Sequence, residues 1–333
     1  MNQRTATRSP QGIAKQLLVA PLALTLAGMP WAPLAAAQRE EAGKIHVDVN
    51  LVLVEATVKN NAGQVMDGLT MKDFQVSEDG VPQTVSHFSR DQLPLAVALV
   101  VDLSASIEPF LRPLRYATQT ALRTLKPEDQ VALFTFATHV DRKVDLTRDK
   151  REVSDQIEFF SSGGSTNING AIYEAAQYLR EDALSSARRV IILVSDNVPT
   201  DEGGVSAQQV EDAVLEADSA VYDLKIPGRN PVAAQMAAKM GGKMNVKKLT
   251  ANTGGEIFDV EKEGSLYIAF EALIQRLKTR YTVGYSPSNS VRNGAFHKLE
   301  VRLTPGHGAP GKDYSILSKR GYYAMAARPA NAQ

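Results

Sequence analysis

Five side chains with hard oxygens dominate the chemistry open to this chain: Asp102, Ser104, Ser106, Thr166 and Asp196. Three of them sit in the triplet Asp102-Leu-Ser104-Ala-Ser106, which ends the apolar run Leu95 to Val101. Asp196 follows a second such run, Val190 to Val194. A run apolar at nearly every position, not alternating, reads as a strand buried on both faces of a mainly parallel sheet. Ligands of open α/β sheets sit in the crevice beyond the carboxyl ends of the strands, so both aspartates are expected on that one edge. Thr166 closes the small-residue loop Ser161 to Asn167, of the kind that brings backbone close to a ligand. Such a donor set, all oxygen and with no soft ligand in competition, suits Mg²⁺ or Mn²⁺. Two carboxylates only balance a dication and the hydroxyls are neutral. The metal would stay electrophilic toward an incoming acid, such as an Asp or Glu carboxylate of a protein partner.

Plainer roles compete for the same residues. Asp102 and the two serines could cap the following helix and form its turn, and Thr166 could be the N-cap of a helix starting near Ile168. Asp201 and Glu202 read as a solvated acidic loop or as part of a second cation site. Catalytic constellations are missing from the pattern. The histidines His46, His87, His139, His297 and His307 show neither HExxH nor paired metal spacing, and none makes a triad partner for a serine. Ser-Gly-Gly-Ser-Thr lacks the lysine of a phosphate-binding loop. The expected protein is therefore no enzyme. A metal-dependent hydrolase on the same edge would need a general base that the sequence does not offer.

Elements that must position this edge follow from periodicity. Phe110, Leu114, Ala117, Ala121 and Leu125 mark an amphipathic helix ending near Pro127. Then come a strand at Val131 to Ala137, a short helix at Lys150 to Phe160, and a helix carrying Ile168, Ala171, Ile172, Ala175, Ala176 and Leu179. Helix Ala207 to Ala220, strand Val221 to Ile226, a weaker helical region from Pro231 to Thr253, strand Glu256 to Val260 and helix Leu266 to Arg280 continue the series. Alternation of this kind predicts a doubly wound, mainly parallel α/β domain over about residues 94–280.

Both flanks read as β structure. In His46 to Val58, Val47, Val49, Leu51 and Leu53 share one parity while Asp48 and Asn50 occupy the other. Phe74 to Ser77 and Gln83 to Phe88 are strands joined through Glu78-Asp79-Gly80, where Asp-Gly supplies a tight hairpin. After the α/β block come Tyr281 to Tyr285, His297 to Leu303, Tyr314 to Leu317 and Gly321 to Tyr323. Neither flank, 44–91 or 281–324, has strands enough to bury a sheet face alone, so the two are expected to pair into one small β-sandwich. Tyr281, Tyr285, Tyr314, Tyr322 and Tyr323 fit its core and rim better than a sugar platform.

Composition narrows the class further. With 37 basic and 37 acidic residues there is no global pull toward nucleic acid or an anionic membrane. Cysteine is absent, which removes disulfides and thiolate chemistry. Arg4, Arg8 and Lys15 precede the apolar run Leu17 to Met29, and Ala35-Ala-Ala37 before Gln38 fits a small-residue cleavage site. Residues 1–37 are therefore expected to be a signal peptide, giving a periplasmic or extracellular protein. A membrane anchor fits less well, because the run is short of the ~20 residues that span a bilayer and is broken by Pro21 and Pro30. Residues 325–333 read as a tail.

The block from about Leu95 to Arg280 resembles the von Willebrand factor type A domain. Asp102, Ser104, Ser106, Thr166 and Asp196 match its metal-ion-dependent adhesion site residue by residue. In that family the two serines coordinate directly, and the threonine and aspartates complete the site directly or through water. The resemblance implies Mg²⁺, or Mn²⁺ or Ca²⁺, and a protein-binding function; a scaffold component of an envelope assembly with a non-essential metal site is the alternative. LTMKDFQVSEDG, YTVGYSPSN and SKRGYYA extend a narrower resemblance, to exported bacterial proteins of the acidobacterial type, over nearly all of the chain after residue 37. One departure concerns loop shape: Asp196 is followed by Asn197-Val198-Pro199, where many relatives have Gly and acidic residues.

Overall fold

The computed structural model describes residues 51–90, 93–200, 204–228, 244–288, 293–307 and 312–324. The expected signal peptide, the first residues of the opening strand, Asp201 and Glu202, most of the Pro231 to Thr253 region and the tail lie outside the described residues.

The order of elements is β1 (Val52–Asn60), β2 (Phe74–Glu78), β3 (Val81–Gln83), β4 (Val85–Ser89), β5 (Leu95–Asp102), α1 (Leu111–Thr124), β6 (Gln130–Phe136), β7 (Val140–Thr147), α2 (Lys150–Ile157) and α3 (Ile168–Asp182). Then follow β8 (Arg188–Ser195), α4 (Ala207–Glu216), β9 (Ser219–Lys225), α5 (Val246–Asn252), β10 (Ile257–Asp259), α6 (Leu266–Lys278), β11 (Tyr281–Tyr285), β12 (Phe296–Leu303), β13 (Tyr314–Leu317) and β14 (Gly321–Tyr323).

A six-stranded sheet ordered β10-β9-β8-β5-β6-β7 forms the middle of the molecule, parallel throughout except for β7 at its edge. Every residue of β5 is buried because helices cover both faces. Leu95, Val97, Leu99 and Val101 pack with Leu114 of α1, Val153 of α2 and Leu273 of α6. Ala96, Ala98 and Val100 face Ile168 and Ile172 of α3 and Val210 of α4. The chain leaves β5 first toward β6 and later returns to β8 on its other side. That reversal of direction opens a crevice at the carboxyl ends of β5 and β8.

Strand β7 is absent from the sequence expectation. Its segment VDRKVDLT buries only Val144, as an edge strand with one wet face would, and carries no continuous apolar run. Helix α4 also stops four residues short of the expected Ala220, since Asp218 takes a left-handed φ of 48° and lets β9 begin at Ser219.

Two four-stranded antiparallel sheets, β13-β1-β11-β4 and β14-β12-β2-β3, pack into the sandwich expected of the two flanks. Asp79 and Gly80, with φ of 48° and 82°, make the two-residue turn that pairs Glu78 with Val81. The second strand of that hairpin divides, however. β3 stays beside β2, while β4 crosses to the other sheet and pairs with β11. The parity expected for the opening strand is also inverted within β1. Val54, Ala56 and Val58 fill the sandwich core, whereas Leu51 is exposed and Leu53 only half-buried. The opposite face of β1 meets the α/β domain, where Glu55 pairs with Arg188 and Arg280, so both parities carry apolar residues.

Candidate metal-binding site

At the carboxyl end of β5, Asp102 is fully buried and both of its oxygens are held. Oδ1 accepts from the Ser104 backbone N–H at 2.7 Å and Oδ2 from the Ser195 hydroxyl at 2.7 Å. The first bond is an Asx turn that folds the chain over the strand end, and a 3-10 turn over Ala105–Phe110 then leads into α1. The fold brings the Ser104 and Ser106 hydroxyl oxygens to 3.0 Å from each other. Ser104 stands at the N-cap of the 3-10 turn without a side-chain capping bond, so its hydroxyl is not spent on the helix end.

The loop before α3 is tied down from three sides. Gly163 N–H donates to the Leu103 carbonyl at 2.7 Å, Asn167 N–H to the Ala137 carbonyl at 2.9 Å, and Thr166 N–H to the Thr200 hydroxyl at 2.7 Å. Gly164 has a φ of 88°, and a Cβ there would stand 2.9 Å from the Thr138 hydroxyl oxygen, so this close approach requires glycine. The N-cap of α3 is Asn167, whose side chain accepts from Gly170 N–H at 2.9 Å, and not Thr166. Thr166 is a buried residue, and its hydroxyl makes no hydrogen bond among the described residues.

Asp196 follows β8 directly. Its Oδ1 accepts from Val198 N–H at 3.0 Å, while Oδ2 takes no hydrogen bond among the described residues and faces the open side of Gly228. The next residue, Asn197, has a φ of 59°, the left-handed conformation that Gly adopts freely and Asn tolerates best among the others. The departure in sequence at this position thus keeps the turn. Asn197 Nδ2 donates to Asp223 Oδ2 at 2.5 Å, and Asn197 N–H donates to Ser195 Oγ at 3.1 Å.

Electrostatics mark the same edge. Burial pushes the Asp102 carboxyl up to about 6; the bonds from Ser195 and Ser104 oppose this, and the nearby negative charge of Asp196 adds to it. Burial likewise raises Asp223, two strands over on β9, to about 7, against the bond from Asn197.

Asp102, Ser104 and Ser106 lie together at the end of β5, Asp196 is near enough to act on the Asp102 carboxyl, and Thr166 belongs to the loop that Gly163 ties to the Leu103 carbonyl. Ser195, Thr200, Asn197 and Asp223, which hold them there, were not anticipated. Ser195 had a local signal as the hydroxyl next to Asp196 on the same strand end, and Asn197 had one as the departure in loop shape after it.

The fold and the edge together define a doubly wound α/β domain with an oxygen-rich crevice at its switch point, inserted in a β-sandwich. Residues 97–198, which contain all five oxygen donors, match the model of the von Willebrand factor type A domain, and the chain carries such a domain. Similar solved structures include an aerotolerance-related membrane protein from Bacteroides fragilis, at 16% identity and a TM-score of 0.42, over 55% of this chain and 99% of that one. A von Willebrand factor type A protein from Catenulispora acidiphila is similar at 10% identity and a TM-score of 0.44, over 81% and 73% of the two chains. The von Willebrand factor domain of a type V pilus tip protein from Porphyromonas gingivalis is similar at 11% identity and a TM-score of 0.41, over 56% and 96%. No curated protein matches the chain. Among the described residues no helix is long and apolar enough to cross a membrane.

Proposed function

We propose that this chain is an exported, non-enzymatic protein-binding module that holds Mg²⁺ through Asp102, Ser104, Ser106, Thr166 and Asp196 and captures an acidic residue of a protein partner. One observation carries the reading. Among the described residues the Thr166 hydroxyl and Asp196 Oδ2 take no hydrogen bond, and the Ser104 and Ser106 hydroxyls stand 3.0 Å apart beside the Asp102 carboxyl, which also feels the charge of Asp196. The spacing of the serine oxygens supports it, since adjacent donors on an octahedral Mg²⁺ with bonds of 2.0–2.1 Å stand about 3 Å apart.

A dication held there supplies an electrophilic position for a carboxylate oxygen. The protein does the rest. Ser195 and the Ser104 backbone N–H fix the Asp102 rotamer, the Thr200 bond aims the Thr166 loop, and Asn197 sets the turn that presents Asp196. Two carboxylates only balance the ion's charge and the hydroxyls are neutral, so no excess of negative charge at the site repels an anionic partner.

Titration calorimetry with MgCl₂, followed by capture from the native envelope fraction in Mg²⁺ and elution with chelator, tests this reading. Asp102→Ala is expected to abolish both the Mg²⁺ heat and the chelator-eluted capture. Capture that is indifferent to chelator and to Asp102→Ala would overturn the mechanism.

A further inference from the structure

A second constellation lies in the sandwich, far in sequence from the Asp102 edge. Glu78 at the end of β2, Asp79 in the turn after it and His297 on β12 bring Oε1, Oδ2 and Nδ1 within 4.8 Å of one another. We infer that Glu78, Asp79 and His297 form a binding site for Zn²⁺, separate from the Asp102 edge.

The arrangement is built and not incidental. Asp79 takes a left-handed φ of 48°, which swings its carboxylate over β12; Oδ1 accepts from Lys298 N–H at 2.8 Å and Oδ2 lies 2.8 Å from His297 Nδ1. Glu78, only 4% exposed, is clamped through Oε2 by the Tyr285 hydroxyl and by the Tyr322 hydroxyl, the latter at 3.0 Å. Its other oxygen, Oε1, accepts no hydrogen bond among the described residues and stands 3.7 Å from His297 Nδ1, beyond hydrogen-bond range. The second oxygen of a nearly buried side chain thus faces the same imidazole nitrogen that Asp79 addresses.

Spacing and donor type choose the ion. Donors around a tetrahedral Zn²⁺ with bonds of about 2.0–2.2 Å are roughly 3.3 Å apart, and the 2.8 and 3.7 Å separations bracket that value. One imidazole nitrogen with two carboxylates suits Zn²⁺ better than Mg²⁺, which the all-oxygen edge suits. The ring of His297 is stacked on Tyr322 at 5.5 Å, and the two phenols orient Glu78 from behind, the outer-shell support such ligands need. Asp79 is half exposed, which leaves a fourth position for water. An ion here would clip the amino-terminal hairpin to strands β11, β12 and β14 across 218 residues of chain.

The test uses the full chain carrying Asp102→Ala, so that failure of the Mg²⁺ reading and failure of this one are distinguishable. After chelator treatment and dialysis, Zn²⁺ alone is titrated by calorimetry and its effect on Tm recorded. One Zn²⁺ per chain, a rise in Tm, and at least about tenfold weaker binding in Asp79→Asn and His297→Gln are expected. Asp79→Asn, on an exposed turn, keeps the test sound should His297→Gln fail to fold. No Zn²⁺ uptake by the Asp102→Ala chain, or uptake of equal affinity in Asp79→Asn, overturns the site.

Discussion

Asp102 is asked to keep a charge in a place with no water. Its folded carboxyl retains a proton up to about 6, whereas an unfolded one releases it near its ordinary 3.8. Between those values the folded state binds more protons, so stability falls as pH rises through that window. The penalty, on the order of 3 kcal/mol, is fully present at neutral pH without metal. Asp102→Asn should therefore raise the Tm of the metal-free protein at pH 7 by a few degrees and flatten its dependence between pH 4 and 6. The amide can still accept from Ser104 N–H and donate to the Ser195 hydroxyl. The same variant should lose the Tm rise on adding Mg²⁺, and a drop in metal-free Tm would contradict the account. At this scale the sequence is readable where donors are neighbours along the chain or end apolar strands, as Asp102, Ser104, Ser106 and Asp196 do. Glu78 was read as part of a turn and His297 as a strand residue, because only the pairing of β2 with β12 brings them together.

Helix α3 shows how one element serves the site. Asn167 caps it and Thr166 precedes the cap, so the position of the cap fixes that of the Thr166 hydroxyl. Gly170 sits in the first turn, where alanine would ordinarily gain about 1 kcal/mol in helix propensity. Here a Cβ would stand 2.7 Å from Asn167 Nδ2 and 2.9 Å from Oδ1. Gly170→Ala should instead displace the cap, destabilise the protein by about 1 kcal/mol in urea denaturation and weaken Mg²⁺ binding. Higher stability in that variant would show that the cap does not hold the loop. Helix α3 and strands β5 and β8 were plain from periodicity, since both faces of each strand are covered and one stripe of the helix is buried. Strand β7 was not, because an edge strand of mixed polarity carries the texture of a loop.

On the scale of the molecule, the sandwich and the α/β domain are joined through charges that neither could bury alone. Glu55 of β1 accepts from Arg188, at the start of β8, at 3.1 Å and pairs with Arg280, just before β11, at 3.0 Å. Glu256, ahead of β10, pairs with Arg276 at 2.9 Å and with Lys59 of β1. That both flanks are β structure and must pair followed from their strand count. Which face of β1 turns to the core did not, since the alternation His46 to Leu53 pointed to the parity that meets the α/β domain. The ion pairs explain the inversion, because Glu55 shares a parity with Leu53 and must face the arginines. The Arg188 and Arg280 side chains are 8% and 2% exposed, so removing their carboxylate strands two guanidiniums out of water. Glu55→Ala should then cost about 3 kcal/mol in urea denaturation, with Glu55→Gln recovering part of the loss by hydrogen bonding without charge. Because the joint lies at the amino ends of the parallel strands and the crevice at their carboxyl ends, Mg²⁺ affinity at a denaturant-free, folded baseline should not change. A Glu55→Ala protein within about 0.5 kcal/mol of the parent would mean that the joint is held by packing and not by these charges.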